Sequence, residues 1–593
     1  MLRLALIVLL LAADLAAAEL RVRIEPRWGE RALPVPSAEI ATPSGQLVRV
    51  TRLAALLSDF QLLRPDGSVV RLEGQYGFID AASGRLEVAL SNVPAGDYRG
   101  LQVRVGVPET VNHADPGIWP PGHALNPTTN GLHWSWSGGY VFLALEGYWR
   151  NADAADAAGF SYHLAKEPQL MTVRFLSEFT VAAATRIDLA LNVAPLFRDR
   201  RIAASDGTDS THSADHDALA NALARSTERA FFWLEAAAET ASRAHGAAGE
   251  VGAHLADATV RAGTPFAFTV PAGFPQPALP ADNPLTEEGV ELGRRLFFDR
   301  RLSRNGEQSC ASCHDPRAAF SDRVALSRGS EGDLGRRNAM PLFNLAWHPA
   351  YAWDGTKRTI REQALAAMTN PIEMNARMAD VVAELGDDPR VREDFAAAFG
   401  SAEVSGERLG KALEQFLLTL VSNRSKFDAT LAGRAKFTPQ EQRGFELFVT
   451  EYDPARGRTG ADCFHCHGGV LFSDFAAKNN GLDLVAADAG AQNATGRADD
   501  RGRFKTPSLR NVELTAPYMH DGRFQTLEEV VAHYDHGVQR AANLDPNLAK
   551  HPKAGLALNA DDQAALVAFL KTLTDREYAR PPRPRADEFA ARD

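Results

Sequence analysis

The chain has 593 residues, which at roughly 150 residues per domain points to several folding units. Hydrophobic residues make up 45% and charged residues 23%, a soluble globular balance that excludes disordered and fibrous classes. Lys and Arg number 64 against 75 Asp and Glu, a formal charge of −11, which disfavours a nucleic-acid surface.

Residues 1–18 read as a signal peptide: Arg3, the apolar run Leu4 to Ala13, and small residues Ala16, Ala17 and Ala18 at the cleavage site. The run falls short of the roughly 20 residues that cross a bilayer. The mature chain is expected to begin near Glu19, without a membrane span, in a periplasm. From Leu20 to Val193 apolar and polar residues alternate, as in Leu86, Val88, Leu90 and in Leu101, Val103, Val105, with a turn at Pro65-Asp66-Gly67. This predicts an all-β antiparallel sandwich or barrel. Residues 217–241 carry a helical pattern (Leu219, Leu223, Phe231, Leu234), and the proline-rich PAGFPQPALPADNP reads as a linker or extended strap. After it the texture is helical. Thr286 opens one helix, Thr438-Pro439-Gln440-Glu441 forms a capping box for another, and Leu566, Phe569, Leu570 and Leu573 mark a third. The end, 581–593, is expected to be a mobile tail.

All four cysteines fall in two motifs, Cys310-Ala311-Ser312-Cys313-His314 and Cys463-Phe464-His465-Cys466-His467. C-x-x-C-H is the signature of c-type haem attachment: the thiols form thioethers and the adjacent histidine reaches the iron. A zinc site would want four ligands from nearby motifs, and a redox dithiol does not call for the following histidine. Opposite His467, the residues Met519, His520, His533, Tyr534 and His536 are all chemically able to bind iron.

The strings LGRRLFFDRRLSRNGEQSCASCH, RRNAMPLFNLAW, WDG, NPIEM, FKTPSLRNVELTAPYMHDGRF and TLEEVVAHYDHG make residues 265–580 similar to the di-haem cytochrome c peroxidase/MauG superfamily. The resemblance implies two mainly α-helical haem domains, 286–435 (peroxidatic) and 436–580. It implies that His314 is the proximal ligand of the haem that meets hydrogen peroxide. Peroxidase members carry a distal histidine about sixteen residues beyond this motif. Ser330 stands near that place here, and no histidine occurs between Asp315 and Trp347. An iron without that ligand is expected to be open in its resting state; His348 is a conceivable substitute that reads better as structural. Gln363 and Glu373 match the distal pair, Glu373 as the base that moves a proton between peroxide oxygens. Tyr534 aligns with the methionine of the peroxidase branch and with the tyrosine of MauG-like enzymes. Phenolate lowers an iron's potential and methionine raises it, so Met519 is expected to be packing. Trp353 matches the inter-haem tryptophan, and Asn338, Thr515 and Pro517 match a calcium site.

Eight histidines precede residue 265: His113, His123, His133, His163, His212, His216, His245 and His254. NHADPGIWPPGHALN, GLHWSWSGGYVFLALEG and FSYHL around them resemble the copper-associated MbnP family, so 19–245 is expected to be an MbnP-like β domain and 246–285 a linker. The family's usual cysteines are absent. MbnP proteins neighbour a MauG-like enzyme, MbnH, that oxidises a partner tryptophan to kynurenine. The resemblance therefore implies an MbnH-like enzyme fused to its protein substrate. Hydrogen peroxide would drive a high-valent di-iron state that oxidises Trp134 or Trp136, with Trp119 behind them. Copper is a candidate metal, with His113, His133 and His163 as leading ligands and His123, His212 and His216 as further ones. The alternatives are a cytochrome c peroxidase fed electrons by a small redox protein, and a copper-binding or adhesion module joined to haems that only carry electrons.

Overall fold

The structure, a computed structural model, describes residues 17–134, 139–214, 216–234 and 263–578. Trp136, His245, His254, the tail 581–593 and residues 1–16 of the expected signal peptide lie outside the described residues. Ala17 and Ala18 open the first strand. The chain forms two compact units.

The first unit holds 17–114, 139–203 and 208–234 of the described chain. The strand Gln46–Leu63 is the spine of its larger sheet, which runs in the order Met171–Phe175, Gly100–Val105, Gln46–Leu63, Gly139–Asn151, Ala158–Ala165, Ser210–Thr211. Leu101, Val103 and Val105 are buried while Gln102 and Arg104 between them are half-buried, the period-2 pattern of a strand with one face inward. The turn at Pro65-Asp66-Gly67 links Gln46–Leu63 to Val69–Leu72. Gly67 there takes φ +88°, which a side chain would disfavour, and Asp66 accepts the Ser68 N–H at 2.8 Å. In the second sheet Ala17–Trp28 lies between Glu87–Pro94 and Ala184–Asn192. The latter pairing is parallel, with Val22 opposite Ile187 and Ile24 opposite Leu189. It departs from the antiparallel expectation because it joins strands far apart in sequence, which local alternation does not register. Phe197 locks the sheets together, 5.4 Å from Trp28 of one and 5.6 Å from Phe160 of the other.

Of the helical pattern predicted over 217–241, the described residues form a helix at Ala218–Glu228, capped by the Asp217 carboxylate on the Ala220 N–H, and 235–241 lie outside the described residues. Phe231–Trp233 is instead a strand, paired with Leu189 to Leu191. Phe231 also packs against Phe175 at 6.4 Å, so sheet pairing overrides the apolar spacing.

The second unit holds 115–134, 204–207 and 263–578. Residues 263–285 form no helix. Trp347 donates its indole N–H to the Pro275 carbonyl at 2.6 Å, and Phe274 is buried against the Trp347 ring. Asn126 ties the 115–134 segment to this strap through the Gln276 carbonyl at 3.1 Å. Two apolar cores follow, one around Leu296, Phe395, Leu413 and Phe416, the other around Leu447, Phe448, Phe472 and Phe569. Each rests on a close helix crossing. Glu287–Phe297 meets Gly406–Leu418 at Gly293, where a Cβ would lie 1.9 Å from the Ala412 carbonyl oxygen. Pro439–Val449 meets Ala560–Lys571 at Gly444, where a Cβ would lie 1.9 Å from the Ala565 oxygen. The Thr286 cap and the Thr438 capping box start the first helix of each pair. Among the described residues no helix is long and apolar enough to cross a membrane.

Candidate haem centres

The two C-x-x-C-H motifs adopt one local geometry. Cys310–Ser312 and Cys463–His465 each form a single tight helical turn, which brings the histidine back beside its cysteines. His314 Nδ1 lies 3.1 Å from the Phe320 carbonyl, and His467 Nδ1 lies 3.1 Å from that of Phe472. Both phenylalanines take positive φ, which turns their carbonyls toward the imidazoles. With Nδ1 donating to a carbonyl, Nε2 is the nitrogen able to meet a metal. Burial pushes the Cys310 and Cys463 thiols up to about 12. That environment is wrong for a thiolate metal site or a reactive dithiol and suits sulfurs held in neutral thioethers.

Cys310, Cys313 and His314 open onto a cavity of about 740 Å³, the size of a cofactor site. Its wall also contains Gln363, Glu373 and Trp353, so the residues present fit a haem. Gln363 comes from the helix Ile360–Thr369, which turns Ile360, Gln363, Ala364 and Ala367 to the cavity, the spacing of one helical face. Glu373 sits in the turn after that helix. Asn370 donates to its Oε1 at 2.7 Å, yet burial holds its carboxyl above the ordinary carboxylate range. The loop carrying Ser330 docks directly on this turn. The Ser330 N–H donates to the Glu373 carbonyl at 2.7 Å, and a Cβ on Gly329 would lie 2.2 Å from the Ile372 oxygen. Trp353 donates its indole N–H to the Asn338 carbonyl at 2.8 Å. Asn338 in turn donates its N–H to the His520 carbonyl at 2.8 Å, and its amide group to Val324 and Ala325. Thr515 lies at the end of the neighbouring turn and Pro517 follows a cis bond.

At the second motif three of the five candidate residues are engaged elsewhere. His533 Nε2 is engaged with the Asn480 carbonyl at 3.0 Å, His520 stacks on Phe504, and His536 is exposed beside Asp535. The Asn480 amide donates both to Met519 Sδ at 3.4 Å and to the Tyr534 hydroxyl at 3.5 Å. Tyr534 lies in a π-helical turn, His533–Gly537, a local widening frequent at functional sites. Tyr534 is half-buried and within electrostatic reach of Cys463 and Cys466, and desolvation raises its pKa well above the ordinary phenol value.

Trp134 belongs to the same compact unit as the haem motifs. Its ring stands edge-on to Phe464 with centroids 5.9 Å apart, and Phe464 is the residue that follows Cys463. His133, Trp134, Phe464 and His465 line one small cavity of about 60 Å³, and burial pushes His133 down to about 4. Trp119 stacks on His123, rings parallel at 4.4 Å. In the β unit His163 is buried, its Nε2 2.9 Å from Glu146, which also binds Arg52; His212 lies 4.7 Å away, ring to ring. His113 is exposed and paired with Glu167 at 2.9 Å.

Sequence reasoning missed two groups in the cavity wall. Lys505 and the Arg337–Asp488 ion pair, which Asp354 joins from behind Arg337, are brought there from separate segments, and no spacing rule marks them.

Residues 287–436 match the family described as di-haem cytochrome c peroxidase, and residues 17–213 match MbnP. Methylamine utilization protein MauG of Methylophilus methylotrophus is 35% identical over 295 residues, 50% of this chain and 84% of that protein. Cytochrome c551 peroxidase of Nitrosomonas europaea is 34% identical over 308 residues, 51% of this chain and 85% of that protein. A solved MauG-like protein associated with microbial copper homeostasis is 36% identical with a TM-score of 0.49, covering 54% of this chain and 98% of its own. The chain belongs to the di-haem cytochrome c peroxidase/MauG family of peroxide-using oxidoreductases with two c-type haems, and carries an MbnP domain on its N-terminal side.

Proposed function

We propose that this enzyme uses hydrogen peroxide to oxidise Trp134 of its own chain to kynurenine, after export to the periplasm by residues 1–18. The observation that carries the reading is the edge-on packing of Trp134 against Phe464, inside the second haem motif. Indole loses an electron readily, and a ring in van der Waals contact with a residue between two haem-bearing cysteines is well placed to do so.

Haems held by Cys310, Cys313 and His314 and by Cys463, Cys466 and His467 would supply the redox chemistry, passing electrons from the indole to peroxide. The chain's residues do the rest. Glu373, with Gln363 beside it in the cavity wall, takes a proton from one peroxide oxygen and returns it to the other. Its raised pKa keeps it a better proton acceptor than an exposed carboxylate. Trp353 bridges the cavity to the Asn338 backbone on the side of the second motif. Tyr534, near Cys463 and Cys466, would offer a phenol oxygen to the second haem, which would lower that centre's potential. Two equivalents of peroxide remove four electrons from the indole and add two oxygens to give the N-formyl compound, releasing two waters. Hydrolysis then frees formate and leaves kynurenine.

Calcium at Asn338, Thr515 and Pro517 would brace the turn that holds Trp353, through hard oxygen ligands. Copper would draw on His163 and His212, with Glu146 orienting His163. His133 lies beside Trp134, whereas His113 would first have to leave Glu167.

Peptide mapping of the haem-loaded protein before and after peroxide tests the reading. Trp134 should gain about 4 Da, the mass change from tryptophan to kynurenine, with Trp119 unchanged. An unmodified Trp134 after complete peroxide turnover rejects it. The similarity to the cytochrome c551 peroxidase favours a second reading, peroxide reduction with electrons from a small redox protein. Rapid oxidation of an added ferrocytochrome with every tryptophan intact would select it.

A further inference from the structure

The cavity beside His314 contains a pair of groups that the proposed chemistry does not use. Lys505 is 5% exposed and lines the cavity. Its Nζ reaches only the imidazole of His348, at 3.1 Å from Nδ1. Among the described residues no carboxylate lies within ion-pairing distance of it. Burial without a counter-charge pushes the ammonium down to about 7. His348 lines the same cavity, is enclosed by Phe475 and Tyr351, and has its Nε2 buried without a hydrogen-bond partner. The backbone fixes both. The Lys505 N–H donates to the Trp353 carbonyl at 2.8 Å, and Lys505 pairs in a short ladder with Ala477. A buried amine and a buried imidazole nitrogen, held rigidly and facing one cavity, are costly unless an anion meets them.

We propose that Lys505 Nζ and His348 Nε2 form a carboxylate seat, and that the carboxylate it takes is a propionate of the haem anchored by Cys310, Cys313 and His314. The inference rests on the assignment of that cavity to the first haem and not on the fate of Trp134. Haem attached by thioethers presents its two carboxylates at a different edge, and each must be neutralised where water is excluded. A propionate on the pair restores the lysine's charge and satisfies the orphaned imidazole nitrogen. It also links the haem periphery to the Trp353 backbone. His348 is then a haem-positioning residue, which accounts for a histidine in this segment without making it an iron ligand.

The test uses the haem-loaded full chain. Lys505→Met should lower the midpoint potential of the first haem, because an uncompensated carboxylate favours the ferric state, and should leave the second haem's potential unchanged. Lys505→Arg should restore the wild-type value. The propionate bending band in the resonance Raman spectrum should shift in Lys505→Met and in His348→Phe, while a pyridine haemochrome assay still counts two haems. Should Lys505→Met fail to mature, His348→Phe decides: a shifted propionate band supports the seat, and an unshifted one overturns the proposal. Unchanged potential and Raman bands in Lys505→Met overturn it too. So does a change of ferric spin state in His348→Phe, which would make His348 an iron ligand. Peptide mapping of Trp134 is independent of each of these readouts.

Discussion

Gly293 and Gly444 sit at equivalent helix crossings, and His314 and His467 face equivalent phenylalanine carbonyls at the same 3.1 Å. The two haem-bearing halves are thus built on one plan, and what differs is the lining. The first motif opens onto a cavity of about 740 Å³ with Glu373 and Gln363 in its wall. The second has a half-buried phenol nearby and touches an indole through Phe464. Like scaffolds carry the two motifs, and side chains from separate segments line them differently; in the proposed function peroxide meets the first centre and the indole the second.

The largest expected effect comes from breaking the first lining. Glu373→Gln should slow peroxide-dependent turnover by roughly 10²–10⁴, read by stopped-flow absorbance at limiting peroxide. A rate within a factor of two of wild type would remove Glu373 from its role. Making the second centre resemble the peroxidase branch should come next. Tyr534→Met is expected to raise the second haem's potential and suppress conversion of Trp134; spectroelectrochemistry and peptide mapping measure the two effects separately. Unaltered potential would mean that the phenol does not approach the iron.

The shared plan predicts equal penalties. Gly293→Ala and Gly444→Ala each drive a methyl into a carbonyl of the crossing helix, at a cost of about 1–3 kcal/mol. Thermal unfolding followed by circular dichroism checks this, and a large inequality between the two would show that the crossings are not equivalent. The smallest effect concerns pH. In its proposed role Glu373 is a base when ionised, and burial raises its pKa. The rate should therefore fall on acidification at a higher pH than an exposed carboxylate would give. Asn370 donates to the ionised form and holds that value down. Asn370→Ala should move the acid limb of the initial-rate profile upward, and a limb that stays in place would assign it to another group.

Much of this was legible in the chain before folding. The cysteine motifs, the Thr286 and Thr438 caps and the alternation of Leu101, Val103 and Val105 are short-range patterns, and short-range patterns survive in sequence. The parallel pairing of Ala17–Trp28 with Ala184–Asn192 was not legible, and neither was the strand at Phe231–Trp233, which local spacing read as helix. Both depend on partners distant along the chain. The five candidate residues facing His467 were equally open in the sequence. Folding engages His533, His520 and His536 elsewhere and sets Met519 and Tyr534 side by side on the Asn480 amide.

The chemistry available to this protein was determined by the sequence alone: which cysteines and histidines can hold haem, and the absence of a histidine between Asp315 and Trp347. Covalent attachment and ligand type are properties of residues and their immediate spacing. Proximity was decided by the tertiary structure. It set Trp134 rather than Trp119 against Phe464 and buried Lys505 beside His348, with no counter-charge among the described residues. Distance and dielectric arise only when segments far apart in the chain pack against one another.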